Sequence, residues 1–335
     1  MAERRAITHR CISMFAASVA SMLLFSLVAA AAGTTTRSAT APSPSALPPP
    51  PMKPGLKWTT LAQYEAEIGE AGVLLRDDYL LLFAPASRAK EAKTIFGILT
   101  RAYGELQAIV GQPTKYKIVV YHLPKGWGGT SECVIEYDYS NLDLASSEEW
   151  RRHKVPHVSG YIEEMAHNFV SSTQAQFGWE MMGWSLGVKV TKKVAGNPIF
   201  DRSVQETRKT QAATYARYRA LDCTFPPEIE PNLCDRIHAH LLWQCEQRYG
   251  PAFWKDSFTE IRARRKDLDA AEHLGGNGDA SRNERYRITV DCFDRLPRMG
   301  FKKLLETNQI STTVDAKSLH PTEAGWDRKF VPRKP

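Results

Sequence analysis

The stretch Val158-Ser159-Gly160-Tyr161-Ile162-Glu163-Glu164-Met165-Ala166-His167-Asn168-Phe169-Val170 decides how this chain is read. At about 100° per residue, Val158, Tyr161, Ile162, Met165 and Phe169 fall on one face of a helix expected over 157–171. Glu163, Glu164 and His167 fall on the opposite face. Glu163 and His167 stand four apart, so their side chains rise together and can hold one ion. Glu164 precedes His167 by three and flanks the same spot, where a carboxylate can activate a metal-bound water. The same three residues also suit a solvated helix face carrying an ordinary Glu–His contact.

The next stretch, Phe177-Gly-Trp-Glu180-Met-Met-Gly-Trp184-Ser-Leu-Gly-Val-Lys189, is apolar nearly all round, which predicts a buried helix over 178–193. Glu180 is its only charge before Lys189. A lone carboxylate in such surroundings costs several kcal/mol, so it must be protonated, ion-paired or bound to a metal. A buried arginine partner and a metal shared with the preceding helix are the two readings. Glu164-x-x-His167 is also half of a di-iron signature, but that site needs a second Glu-x-x-His on a bundle helix, and no copy is apparent.

Outward from this pair, the chain before it is strand-rich. Val73–Leu75 and Tyr79–Phe83 read as short strands, and Ala89–Val110 carries helical spacing ended by Gly111 and Pro113. Tyr116–Tyr121 reads as a central strand, Gly126 to Gly129 as a loop, and Cys133–Tyr137 as a strand near the sheet edge. After it, helices are expected at 203–220, 231–248, 252–266, 281–294 and 299–306, with an irregular tail over 311–335. Strands first and helices afterwards predict an α+β fold: a small N-terminal mixed sheet with a long helix, then a mostly helical C-terminal half. The domain spans 57–335, with a sheet-containing lobe at 57–172 and a helical lobe at 173–310.

The arrangement resembles the gluzincin-type zincin metallopeptidases, which place His-Glu-x-x-His on one helix and a ligating Glu on the next. Glu164-Met165-Ala166-His167-Asn168-Phe169 looks most like the mucin-directed family that includes the enhancins, and Leu242-Trp-Gln-Cys-Glu-Gln-Arg-Tyr-Gly250-Pro-Ala-Phe-Trp254 resembles that family's later helix. The resemblance covers about residues 73–265 as pattern and order. It implies a zincin-like fold, Glu164 as general base, and His167 and Glu180 as zinc ligands. Glu163 stands where the family has His, and Ala166 where it has Gly. A carboxylate can bind zinc, so Glu163, His167, Glu180 and a water make a four-coordinate set. Two carboxylates also suit harder ions such as manganese or calcium. Tyr137 and Tyr139, on the expected edge strand, are candidates to contact a substrate backbone aligned by strand addition.

The leader places this chemistry outside the cytosol. Arg4, Arg5 and Arg10 precede an uncharged apolar run from Ile12 to Ala32, and Ala30 and Ala32 before Gly33 fit a signal-peptidase site. Residues 1–32 are thus expected to be a signal peptide, or an anchor if retained. Residues 33–56, rich in Pro, Ser and Thr, read as a disordered linker. The formal charge is +7, of which the leader supplies +2. The remaining +5 is scattered, the densest run being Arg262-Ala263-Arg264-Arg265-Lys266, which argues against a nucleic-acid partner. Cys223 and Cys234 bracket a proline-containing loop and are candidates for a disulfide, while Cys245 suits a buried inert thiol.

Two functions are expected from these residues. One is a secreted metal-dependent peptidase acting on extracellular protein or glycoprotein, with no membrane span in the mature domain. The other is a non-catalytic extracellular peptide- or glycan-binding protein on a degenerate zincin scaffold.

Overall fold

The computed structural model describes residues 48–126, 129–142, 147–154, 157–177, 181–220, 233–274, 279–308 and 310. The expected leader, most of the linker, the tail from 311, Glu180 and Cys223 lie outside the described residues.

Among the described residues the elements run α1 (Leu61–Ile68), β1 (Gly72–Arg76), β2 (Leu80–Pro85), α2 (Ala89–Val110), β3 (Ile118–Leu123), β4 (Gly129–Ser131), β5 (Val134–Asp138), α3 (Glu148–His153), α4 (Ser159–Thr173), α5 (Met181–Ala195), α6 (Pro198–Ala220), α7 (Leu233–Tyr249), α8 (Phe253–Ala263), α9 (Arg265–Glu272), α10 (Asp279–Asp294) and α11 (Phe301–Thr307). The fold is α+β, as the order of strand and helix patterns predicts.

The sheet is mixed, in the order β1-β2-β3-β5-β4. β2, β3 and β5 run parallel, and β1 and β4 flank them antiparallel. The parallel step from β2 to β3 requires a crossover, and α2 supplies it. Strand residues alternate between two cores. Leu80, Leu82, Ile118 and Val120 face α2 and the C-terminal helices, while Leu81, Phe83, Val119 and Tyr121 face α1 and Trp58. Both faces are covered, so β2 and β3 are buried along their whole length.

Three expectations need correction. The strand Cys133–Tyr137 is not the sheet edge, because Gly129 leaves the expected loop to begin β4, which pairs outside β5. Glu132 and Cys133 between them both take positive φ, 41° and 72°, the pattern of a tight hairpin without its usual Asn-Gly signal. The single helix over 252–266 is two helices. Arg264 breaks it at φ −101°, ψ 17°, where its N–H turns to the carbonyls of Glu260 and Ile261 and Asp267 receives its guanidinium.

The basic run belongs to this packing. Arg262 donates to Val110 O and so caps α2, and Arg265 pairs with Asp269 at 2.8 Å and reaches Ser172 O at 2.7 Å. No described helix is long and apolar enough to cross a membrane. Cys133, Cys245 and Cys292 are free and buried, and burial pushes the Cys245 thiol up to about 12.

Candidate functional site

α4 carries the three polar residues, and α5 lies over two of them, Glu163 and His167. Its buried stripe, Tyr161, Ile162, Met165, Ala166 and Phe169, packs into the core. Glu163, Glu164 and His167 are half-buried, so the face is not a solvated one.

Two glycines explain the cover. A Cβ placed on Gly183 would lie 2.3 Å from His167 Nδ1, and one on Gly187 would lie 2.8 Å from Glu163 Cα. Both distances are far inside van der Waals contact, so α5 can lie this close only without side chains at 183 and 187. The pairs 163/187 and 167/183 run in opposite directions, so the two helices pack antiparallel. Each helix contributes positions four apart, which share a face. His167 and Glu163 therefore meet the same bare strip of α5 backbone.

That contact sets the chemistry of His167. Loss of water around the ring lowers its pKa from 6.5 to about 4, so the imidazole is neutral at physiological pH and keeps a lone pair for a ligand. The Nδ1 edge faces Gly183, which leaves Nε2 farther from the α5 backbone.

The other side of α4 is fastened to the sheet. His122 on β3 is fully buried, and desolvation lowers its pKa to about 4. Its Nδ1 lies 3.1 Å from Phe83 O, which can only accept, so Nδ1 carries the proton. Its Nε2 then accepts from the Tyr161 hydroxyl at 2.7 Å. The Tyr161 ring packs on Tyr137 with centroids 4.3 Å apart. Burial, then the negative charge of Glu164, holds the Tyr137 phenol well above its ordinary pKa, with Tyr161 and Glu163 adding to it. Tyr137 therefore stays protonated beside two carboxylates.

Asn168 completes the attachment. Its Oδ1 accepts from Cys133 N–H at 2.6 Å, and its Nδ2 reaches Thr130 Oγ1 at 2.7 Å and Glu164 O at 2.8 Å. One side chain thus holds the β4–β5 hairpin, with its two positive-φ residues, against the helix turn that bears Glu164. The sequence reading assigned Asn168, Tyr161 and His122 no role in the site. The spacing of Asn168, one residue after His167, was the available signal.

The structure brings Glu163, Glu164, His167 and Tyr137 into one neighbourhood. Tyr139 instead follows β5 at the start of a 3-10 turn and interacts electrostatically with Tyr64 and Glu70, in the α1 layer. Strand addition at Tyr137 meets an obstacle, since Gly126 lies against its backbone: a Cβ there would sit 2.1 Å from Tyr137 C. Among the described residues no three His, Cys, Asp or Glu side chains converge as a metal set. Glu180, the expected third ligand, lies outside them, three residues before Gly183 in the chain. His238 and His240 face packing partners, Phe177 and Tyr286 for the first, Tyr215 and Trp243 for the second.

No protein family and no curated protein matches the chain. It is similar to the solved structure of a functionally unknown conserved protein from Bacillus anthracis str. Ames, at 15% identity and a TM-score of 0.38. That match covers 73% of this chain and 50% of the other, so the chain spans half the length of that neighbour.

Proposed function

We propose that this protein is a secreted, zincin-type metal-dependent peptidase that cleaves extracellular protein or glycoprotein. One observation carries the proposal: a neutral, half-buried imidazole, His167, lies against Gly183 of α5, one helix turn from Glu163, whose backbone lies against Gly187 on the same face of α5. The donor chemistry fits zinc, which takes neutral imidazole and carboxylate oxygen. His167, Glu163 and Glu180 would hold the ion. When bound it would supply a Lewis acid to polarise the scissile carbonyl and raise the acidity of water.

The chain's own residues do the rest. Glu164 accepts the proton of the attacking water and returns it to the leaving amine nitrogen as the peptide C–N bond breaks. Tyr137, held protonated, does not compete with Glu164 as a base. Asn168 holds the backbone carbonyl of Glu164 and so fixes where that side chain starts.

The test is metal analysis of the purified chain together with Glu164→Gln. The expectation is near-stoichiometric zinc in both proteins and proteolysis only in the unsubstituted one. Absence of bound metal from freshly purified protein would leave the non-catalytic peptide- or glycan-binding reading in its place. Proteolysis surviving Glu164→Gln would remove Glu164 as the base.

A further inference from the structure

The α4–α5 seam continues one turn beyond Glu163, toward the N-terminus of α4, and opens there into a second site. A shallow, half-open pocket is lined there by exposed His157 and by Val158, Ser159, Thr191, Ala195, Asn197 and Phe200. Its closed part has room for roughly one water-sized group.

Three features of this pocket call for an acceptor. α4 has no side-chain cap: its N-cap residue is Val158, so the first amides of the helix, from Ser159 onward, lack the partner that a Ser or Asp would provide. Thr191 is 2% exposed, and its hydroxyl has no hydrogen-bond partner among the described residues. Asn197 uses its Oδ1 to cap α6 through the amides of Ile199 and Phe200, which leaves Nδ2 as its available group.

Thr191 is the most telling of the three. Five helix threonines, Thr94, Thr210, Thr259, Thr289 and Thr307, return their hydroxyls to the carbonyl four residues back, and Thr100 and Thr173 find other acceptors. Thr191 is buried in mid-helix and does neither. A buried hydroxyl without a partner is a standing cost, and a ligand oxygen in the pocket it lines would remove it.

We propose that this pocket binds the carboxylate of a small organic ligand. Among the described residues no acidic side chain lines it, and its lining offers hydroxyl and amide groups that can donate. A helix N-terminus presents roughly half a positive charge, which suits a monoanion better than a dianion. Among the described residues no Lys or Arg lines the pocket to neutralise a second charge, and Lys192 on α5 pairs with Asp201 at 3.4 Å. Val158, Ala195 and Phe200 give the organic part an apolar wall, which a hydrated inorganic phosphate would not use. The assignment does not depend on the peptidase reading.

The experiment is titration of the full chain with sodium butyrate and, separately, inorganic phosphate at constant ionic strength, following the amide resonances of Ser159 and Gly160. Butyrate should shift them saturably and phosphate should not. Thr191→Val removes the hydroxyl at nearly constant volume and should weaken butyrate binding about tenfold or more. Ser159→Ala is the companion variant should Thr191→Val fold poorly, with a loss in the same direction. His167→Ala should leave butyrate binding intact, which separates this site from the proposed metal site. Saturation by phosphate as tight as by butyrate, no saturation by either, or unchanged binding in the folded Thr191 and Ser159 variants would each overturn the proposal.

Discussion

Gly183→Ala is the sharpest probe of the α4–α5 seam. The new methyl would begin 2.3 Å from His167 Nδ1, 2.6 Å from Cε1 and 2.7 Å from Cγ, where ordinary contact starts at 3.4 Å. The shortfall is about 1.1 Å, and α5 cannot simply lift, because Gly187 pins it to Glu163 one turn away. The imidazole must swing out, or the helices must part. Overpacking of this kind costs about 1–3 kcal/mol, offset by the roughly 1 kcal/mol by which alanine exceeds glycine in a helix. The net loss should be about 0–2 kcal/mol, a fall of up to about 8 °C in Tm at 2–4 °C per kcal/mol. Gly104→Ala on α2 is the control, since its Cβ would meet nothing within 4 Å. That variant should gain about 1 kcal/mol and raise Tm. Thermal denaturation of the two variants side by side gives opposite signs if the seam is as close as described. Metal affinity adds a second readout: a displaced His167 should weaken zinc binding more than tenfold in Gly183→Ala and not at all in Gly104→Ala. Equal stabilisation by both substitutions, with zinc binding unchanged, would refute the reasoning.

Other consequences can be measured directly. Asn168→Ala leaves the buried Cys133 N–H unpaired and frees the hairpin, which should cost about 2–4 kcal/mol in urea denaturation and raise hydrogen exchange at Thr130–Val134. Stability should fall as the solution is acidified, because His122 has its folded-state pKa lowered from 6.5 to about 4. Its contribution is present in full above pH 6.5 and lost progressively as pH drops toward 4, by about 3 kcal/mol, since the unfolded chain takes the proton first. His167, lowered to the same extent, adds a like amount, so His122→Gln should reduce the slope by about half, and an unchanged slope would exclude His122 as a source. Cys245 and Cys292, whose thiols burial pushes up to about 12, should resist iodoacetamide in the folded chain and react only after unfolding, as read by peptide mass mapping.

The elements with strong periodicity were legible, and those that depend on distant partners were not. The stripe Ile95, Ile98, Leu99, Tyr103 and Leu106 placed α2 at Ala89–Val110, as observed, because its apolar spacing and its Gly111 stop are both local facts. α1 was missed although its signal is local: Thr60 and Gln63 form a complete capping box and Gly69 closes the helix. β4 could not be read, since Gly129-Thr130-Ser131 has no strand character and becomes one only by pairing with Val134–Glu136. In the site, the α4 face carrying Glu163 and His167 followed from spacing alone. That α5 would cover it followed from nothing local, because Gly183 and Gly187 acquire meaning only against those two residues. His122 lay one residue past the expected strand Tyr116–Tyr121, and its partner Tyr161 read as part of the apolar face.

A helix that presents reacting groups must be fixed in both rotation and slide, and α4 has a separate device for each. Rotation is set from the sheet side by buried polar groups whose partners are fully specified: Tyr161 to His122, His122 to Phe83 O, and Asn168 to Cys133, Thr130 and Glu164. Turning the helix by one residue, about 100°, would break the bonds from Tyr161 to His122 and from Asn168 to Cys133 and Thr130 at once, at about 1–3 kcal/mol for each buried group left unpaired. Slide is set from the α5 side, where the bare positions Gly183 and Gly187 accept His167 and Glu163 at one register. A slide of α5 by one turn would place Gly187 against His167 and the Thr191 side chain against Glu163, where the close approach of the two helices leaves no room for it. Shape alone would tolerate an apolar seam and an apolar latch. Polar partners on one side and two bare positions on the other select a single orientation, the one that turns Glu164 toward Tyr137 while Glu163 and His167 face α5.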